Sequence, residues 1–301
     1  MKNILIIGSR GFIGSHCYCY YKKNANYKVF QTDVFPDNDL DDYYQLDSRN
    51  PDFAGIFQKQ KFDFCINASG SASVPFSISN PAEDFRLNVS NVNLILHAIR
   101  NNNPECRFIN FSSAAVYGNP DSLPITEIMA SSPLSPYGFH KMLSEHICNE
   151  FYKLYQIATC SLRVFSAFGP GLRKQLFWDL AKKADESEIA ELFGTGKESR
   201  DFIYIDDLVT AVDVVITNSL FRGEAINASG GKEISVRYAA ETFLNYYKPG
   251  TELRFSGIAK TGDPLNWEAD ISRLKTLGFD PRISFVEGMR RYCEWLKKNR
   301  Q

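Results

Sequence analysis

The sequence predicts an α/β fold built on a mostly parallel sheet with helices on both faces, together with a smaller mixed C-terminal lobe. Three observations predict it. Short apolar runs at 3–7, 28–32, 44–46, 64–67 and 108–112 alternate with longer amphipathic stretches, the pattern of buried strands joined by crossover helices. The first run leads directly into Gly8-Ser9-Arg10-Gly11-Phe12-Ile13-Gly14 and then into a helical stretch, the strand–turn–helix context of a dinucleotide site. The length of 301 residues suits one such domain plus a second lobe. The fold class is therefore a Rossmann-type doubly wound sheet with a smaller, substrate-binding C-terminal lobe.

Further elements follow in order. Residues 80–102 read as one long helix, with Asn80 as its cap, Pro81 in its first turn, and Leu87, Val92, Leu94, Ile95, Ala98 and Ile99 as its apolar face. Between Gly118 and Pro136 stand Pro120, Pro124 and Pro133 with few apolar residues, so this stretch is a long shaped loop. A helix over 135–155 feeds a strand over 158–165, after which Gly169-Pro170-Gly171 breaks the alternation. The lobe boundary belongs there: residues 1–168 form the dinucleotide-binding domain, and 169–301 form mainly the substrate lobe, with part of 202–222 returning to the first. Residues 208–218 are helical, and 285–298 form a terminal amphipathic helix with Val286, Met289, Tyr292, Cys293 and Leu296 inward.

Composition excludes several function classes. A formal net charge of −1, with 23% charged and 44% hydrophobic residues, gives no global attraction for nucleic acid or an anionic membrane. The apolar run before Gly8 is too short for a signal-peptide core and no later stretch approaches a membrane span, so a cytoplasmic location is expected. Seven cysteines without a CxxC pair read as reduced, mostly buried small hydrophobes. The four histidines form no metal-binding spacing, so no metal is expected.

The cofactor reading rests on the glycines and one acid. Gly8, Gly11 and Gly14 let the backbone turn sharply and approach a pyrophosphate at the start of the helix that Phe12 and Ile13 open. Asp33 ends the second strand about twenty residues on, where a carboxylate accepts from the adenosine ribose hydroxyls and repels a 2′-phosphate. NAD is therefore favoured. Arg10, inside the turn, is the one feature that speaks for NADP, since it can neutralise a phosphate. Asp47 has two readings, a cap on the adenine amino group or an ordinary turn carboxylate. Ala68 and Ser69 follow the fourth strand, where small residues let the backbone pass beside the cofactor.

The chemistry rests on Tyr137 and Lys141, four residues apart and hence on one helix face. A free phenol titrates near about 10, and a nearby ammonium together with a positive nicotinamide favours the phenolate, so that Tyr137 can serve as base and acid. Lys141 would also hold the nicotinamide ribose. Ser113, just past the fifth strand, can hydrogen-bond the same substrate oxygen.

With these motifs in place, the sequence resembles the extended short-chain dehydrogenase/reductases, specifically the NAD-dependent sugar-nucleotide epimerase/dehydratase family, over nearly its whole length. The resemblance is carried by the glycine turn, Asp33, Ser112–Gly118, Ser135–Lys141, Leu162–Phe165 with Gly169-Pro170-Gly171, Gly194-Thr195-Gly196, Arg200–Asp207, and Gly262-Asp263 before Ala269–Ser272. It implies a catalytic set of Ser113, Tyr137 and Lys141. It also implies substrate contacts at Ser166 and Lys260, and at Arg200 toward the sugar-linked diphosphate; the alternative for Arg200 is a salt bridge to Asp201 or Asp206. Ser166 and Lys260 stand where relatives often carry Asn and Arg. Ala114 and Ala115 stand where the family's 4,6-dehydratases resemble one another in having an acidic pair, so dehydration lacks its acid and base. The implied activity is a nucleotide-sugar epimerase working through transient oxidation at C4 of a nucleoside-diphosphate hexose or 6-deoxyhexose. The alternatives are a nucleotide-sugar 4-reductase or 4-dehydrogenase with net redox turnover, and, from another class, a dinucleotide sensor without catalysis. The family implies a homodimer through the helices at 80–102 and 135–155.

Overall fold

The computed structural model describes residues 1–37, 42–258, 262 and 264–299. Its first half alternates strands and helices: β1 (Lys2–Ile7), α1 (Phe12–Lys22), β2 (Tyr27–Asp33), β3 (Tyr43–Gln45), α2 (Phe53–Lys59), β4 (Phe64–Asn67), α3 (Val74–Ser79), α4 (Pro81–Phe85), a π-helical turn (Arg86–Ser90), α5 (Asn91–Asn102), β5 (Arg107–Ser113), α6 (Pro136–Tyr155), β6 (Thr159–Val164) and β7 (Ser166–Phe168). The second half comprises α7 (Gln175–Glu186), β8 (Ile189–Leu192), β9 (Ser199–Tyr204), α8 (Ile205–Asn218), β10 (Arg222–Ala228), β11 (Glu233–Ser235), α9 (Val236–Tyr247), β12 (Glu252–Phe255), α10 (Ser272–Thr276) and α11 (Phe285–Asn299).

Among the described residues the main sheet has the order β10-β6-β5-β4-β1-β2-β3, and its pairings are parallel. Its central strands are buried almost throughout because both faces are covered. In β1, Ile4 and Ile6 enter the core on one face while Leu5 and Ile7 enter the core on the other, the period-two alternation of a pleated strand. Two small sheets, β11-β9-β7 and β12-β8, sit outside the main one. The chain recrosses from the smaller lobe: α8 packs on α1, and β10 extends the main sheet beside β6.

Two sequence expectations are corrected here. Residues 81–102 do run as one continuous helical stretch, but a π turn at Arg86–Ser90 lies within it, between α4 and α5. The wider turn resets the buried face, so Val92, Ile95 and Ile99 point inward while Leu94 is exposed. Asn80 precedes α4 without a side-chain capping bond. In α11, Met289, Tyr292, Cys293 and Leu296 are buried as expected, but Val286, on the first turn, faces solvent. Six of the seven cysteines are buried and Cys19 is exposed.

α6 carries Tyr137 and Lys141. Ser135 caps it by accepting from the Gly138 amide at 3.3 Å. Its buried stripe, Tyr137, Lys141, Ser144, Cys148 and Phe151, follows a helical period, and it carries a lysine and a tyrosine where packing alone would call for apolar residues. A charged network fixes the helix to the sheet: Glu145 accepts from Arg163 Nη2 at 2.7 Å and from Ser112 Oγ, and Arg163 Nη1 donates to Tyr117 Oη at 2.7 Å.

Candidate active site

The carboxyl ends of β1, β4 and β5 lie side by side, with Ile7 opposite Asn67 and Asn67 opposite Asn110. Ligands of open α/β sheets bind outside such ends. Gly8 leaves β1 at φ +79°, and a Cβ there would fall 2.7 Å from the backbone of Ala68 and Ser69, so the turn and the end of β4 touch main chain to main chain. A Cβ on Gly14 would stand 2.1 Å from the Gly8 carbonyl oxygen, which packs the start of α1 against the turn. Gly11, at the cap position of α1, offers no side-chain acceptor, leaving the first N–H groups of the helix to a ligand.

Asp33 is buried at the end of β2 and accepts from the Arg10 amide at 2.9 Å and the Val34 amide at 2.7 Å. Two backbone donors fix its carboxylate in position to accept further bonds from a diol. The Arg10 side chain forms an ion pair with Asp37 and lies over the Tyr43 ring, 5.5 Å from its centroid, so the cation that spoke for a 2′-phosphate is engaged by a carboxylate. This cradle, with its missing Cβ atoms, uncapped helix start and fixed acid, fits a dinucleotide with a free ribose diol. Asp47 is exposed and accepts from the Arg49 and Asn50 amides at 2.7 and 2.9 Å, so its turn role is the one on view. Ser69 Oγ donates to Asn67 Oδ1 at 2.6 Å, which ties down the strand end.

Ser113, Tyr137 and Lys141 converge. Ser113 ends β5, and its hydroxyl accepts from the Ala115 amide at 3.2 Å and hydrogen-bonds the Tyr137 phenol. The close approach of α6 makes this contact: a Cβ on Gly138 would lie 2.6 Å from the Ala115 carbonyl oxygen. Lys141 Nζ lies 5.9 Å from the Tyr137 ring centroid and donates to the Phe111 carbonyl at 2.8 Å. Burial pushes the Tyr137 phenol up to about 12, against the pull of the Ser113 hydrogen bond. Burial likewise lowers Lys141 to about 8, with Asp84 opposing. This corrects the sequence expectation in one respect. Lys141 by itself does not outweigh the desolvation of Tyr137, so the chain alone holds a neutral phenol at physiological pH, and further positive charge is needed to make it a base.

The substrate side is assembled from more distant pieces. Ser166 is half-buried at the start of β7, two residues beyond Val164, which pairs with Ser113 across the sheet. Arg200 lies on β9, where Nη1 donates to the Ser199 and Leu265 carbonyls at 2.7 and 3.2 Å and the guanidinium sits 5.4 Å from the Trp267 ring centroid. The two acids named as its alternatives are engaged elsewhere: Asp201 accepts from the Gly231 and Ala269 amides, and Asp206 lies near His16 and Arg291. Lys260 and Asp263 lie outside the described residues.

Sequence reasoning missed three residues of this region. Trp267 supplies the platform beneath Arg200 and is itself held by donation to the Gly118 carbonyl at 3.0 Å. Asp84 of α4 and His140 of α6 pair where the two helices pack. The one available signal was a histidine inside Tyr137-Gly138-Phe139-His140-Lys141, where its partner, 56 residues away, is invisible to spacing.

Comparison with known proteins agrees with this geometry. A family model described as the NAD dependent epimerase/dehydratase family matches residues 4–229. An uncharacterized UDP-glucose epimerase, YtcB, of Bacillus subtilis is 28% identical over 95% of this chain and 95% of its own length. The dTDP-glucose 4,6-dehydratase 1 of Escherichia coli is 26% identical over 98% and 93%. The crystal structure of UDP-glucuronic acid 4-epimerase from Bacillus cereus, in complex with UDP-glucuronic acid and NAD, superposes with a TM-score of 0.89 at 26% identity, covering 98% of this chain and 99% of that one. By motif, fold and site, the chain belongs to the NAD dependent epimerase/dehydratase family, whose members are enzymes.

Proposed function

We propose that this protein is an NAD-dependent nucleotide-sugar epimerase that inverts C4 of a nucleoside-diphosphate hexose or 6-deoxyhexose. The observation that carries the reading is the convergence of Ser113, Tyr137 and Lys141 at the carboxyl end of β5, two strands from β1 and its Gly8–Gly14 turn. Bound there, NAD supplies a hydride acceptor and donor for a carbinol carbon, and its positive ring supplies the charge that Tyr137 lacks. Tyr137 takes the C4 hydroxyl proton and returns it, Ser113 holds the same oxygen, and Lys141 orients the nicotinamide ribose. Arg200, with Ser166 and Lys260, receives the substrate, the arginine fork toward the diphosphate.

Both epimerases and a dehydratase are among the relatives, and the residues after Ser113 support the epimerase reading. Dehydration needs an acid and a base to protonate the leaving hydroxyl and remove the C5 proton. Ala114, fully buried, and Ala115 provide neither. The decisive experiment incubates the purified protein with nucleoside-diphosphate hexoses and no added reductant. Conversion of one epimer into its partner over many turnovers supports the reading, whereas stoichiometric formation or consumption of reduced nicotinamide replaces it with a 4-dehydrogenase or 4-reductase.

The proposal extends to assembly. Phe85 on α4, Leu94 on α5, and Phe139 and Leu143 on α6 expose 41%, 46%, 49% and 38% of their surface, apolar area that a second copy of the chain would cover. Light scattering at micromolar concentration should give the mass of a dimer, and Phe139→Glu should give that of a monomer.

A further inference from the structure

Arg10 carries the only charged side chain in the Gly8–Gly14 turn, and three contacts hold it. Its amide donates to Asp33 Oδ2 at 2.9 Å, its guanidinium pairs with Asp37, and that guanidinium lies 5.5 Å from the Tyr43 ring centroid. Asp37 stands four residues past the end of β2, and the stretch leading to it is tied to β3: Tyr43 Oη donates to the Phe35 carbonyl, and Gln45 Nε2 donates to the Val34 carbonyl at 3.5 Å. The carboxylate is therefore brought to the arginine by the fold around it. The side chains of Arg10 and Asp37 keep 38% and 18% of their surface exposed. An ion pair this open to solvent adds little to stability, so the fold gains little by it.

Its place in the site gives it a use. The guanidinium belongs to a residue whose amide is bonded to Asp33, the acid read as the acceptor of the ribose diol, so the cation and the 2′ position are neighbours. A guanidinium fork is the side chain best suited to a phosphate. Resting on the placement of the adenosine ribose at Asp33, we propose that Asp37 is a cofactor-specificity residue: its ion pair with Arg10, against the Tyr43 ring, withholds the guanidinium from a 2′-phosphate and keeps the site selective for NAD. Two acids then act on one choice by different means. Asp33 accepts from hydroxyls and repels a phosphate directly, whereas Asp37 occupies the cation that would offset that repulsion. With the Asp37 charge removed, Arg10 keeps its ring contact and its amide bond to Asp33, and its fork is released without any change in the backbone of the turn.

The test reads binding and needs no turnover. Fluorescence titrations of the purified protein with NADH and NADPH should show wild type preferring NADH. Asp37→Asn keeps the shape of the side chain and removes its charge; it should tighten NADPH about tenfold or more, the gain of one charge-assisted hydrogen bond, and hold NADH within about twofold. Asp37→Ala should act in the same direction. Adding Arg10→Gln to Asp37→Asn should return NADPH to its wild-type affinity, because the gain depends on the fork. The proposal is overturned if NADPH affinity is unmoved in both Asp37 variants, if NADH tightens by the same factor as NADPH, or if the gain survives Arg10→Gln. Asp33→Ala tests the placement of the ribose separately and should weaken NADH. Were NADH indifferent to Asp33→Ala while the NADPH gain in Asp37→Asn still vanished with Arg10→Gln, Asp37 would keep its role and Asp33 would lose the diol.

Discussion

The two walls of the candidate cleft are built in different ways. On the cofactor side, residues close in sequence do the work: the Gly8–Gly14 turn follows β1 directly, Asp33 ends the next strand, and Tyr137 and Lys141 share one helix face. On the substrate side, Arg200 is placed by the carbonyl of Leu265 and the ring of Trp267, and Trp267 by the carbonyl of Gly118. The first wall is held by backbone contacts that tolerate no extra atom, and the second by side chains and loops that can be exchanged. Cofactor and reaction type should therefore be robust, while substrate identity should be open to change by substitution.

The sharpest test of the first wall is Tyr137→Phe, which removes the proton carrier and keeps the ring. Turnover should fall about 10²- to 10⁴-fold with NAD affinity retained in a fluorescence titration; unchanged turnover would end the catalytic assignment. Gly14→Ala places a Cβ 2.1 Å from the Gly8 carbonyl oxygen. It should cost about 1–3 kcal/mol of stability and weaken NAD binding, measurable by urea unfolding and by calorimetry.

The second wall predicts a pH effect through Asp201, which ties β9 to Gly231 and Ala269. Burial raises its carboxyl from 3.8 to about 6. A folded-state value above the unfolded one means that its contribution to stability is full below about pH 3.8 and is lost as pH rises through about 6, a loss on the order of 3 kcal/mol. Urea midpoints measured from pH 4 to pH 7 should carry this slope in wild type and lose it in Asp201→Asn. The smallest effect belongs to Arg200→Lys, which keeps the charge and gives up the fork. KM for the nucleotide-sugar should rise about tenfold, near 1.4 kcal/mol, with kcat little changed, and steady-state kinetics would show a role confined to the fold if neither parameter moves.

Legibility in the sequence follows the same division. The sheet, the turn, the acid after β2 and the helix with its tyrosine and lysine were readable because each depends on local periodicity or on a fixed short spacing. The long helix ending at Asn102 was readable, but the π turn inside it was not, because such a turn inserts a residue without leaving a mark in composition. The choice between two roles for Asp47 needed the turn itself, where the Arg49 and Asn50 amides meet its carboxylate.

The sequence by itself determined the order of the chemistry along the chain: a glycine turn, an acid, a serine at a strand end, and a phenol and ammonium one helical turn apart. Only the tertiary structure decided their electrostatic state. Burial raises Tyr137 and lowers Lys141, Asp84 arrives from another helix to pair with His140 on theirs, and Arg200 finds its platform in a tryptophan 67 residues away. Spacing along a chain records which groups share an element, whereas desolvation and charge depend on what folds over them, and that is set by residues far apart in sequence.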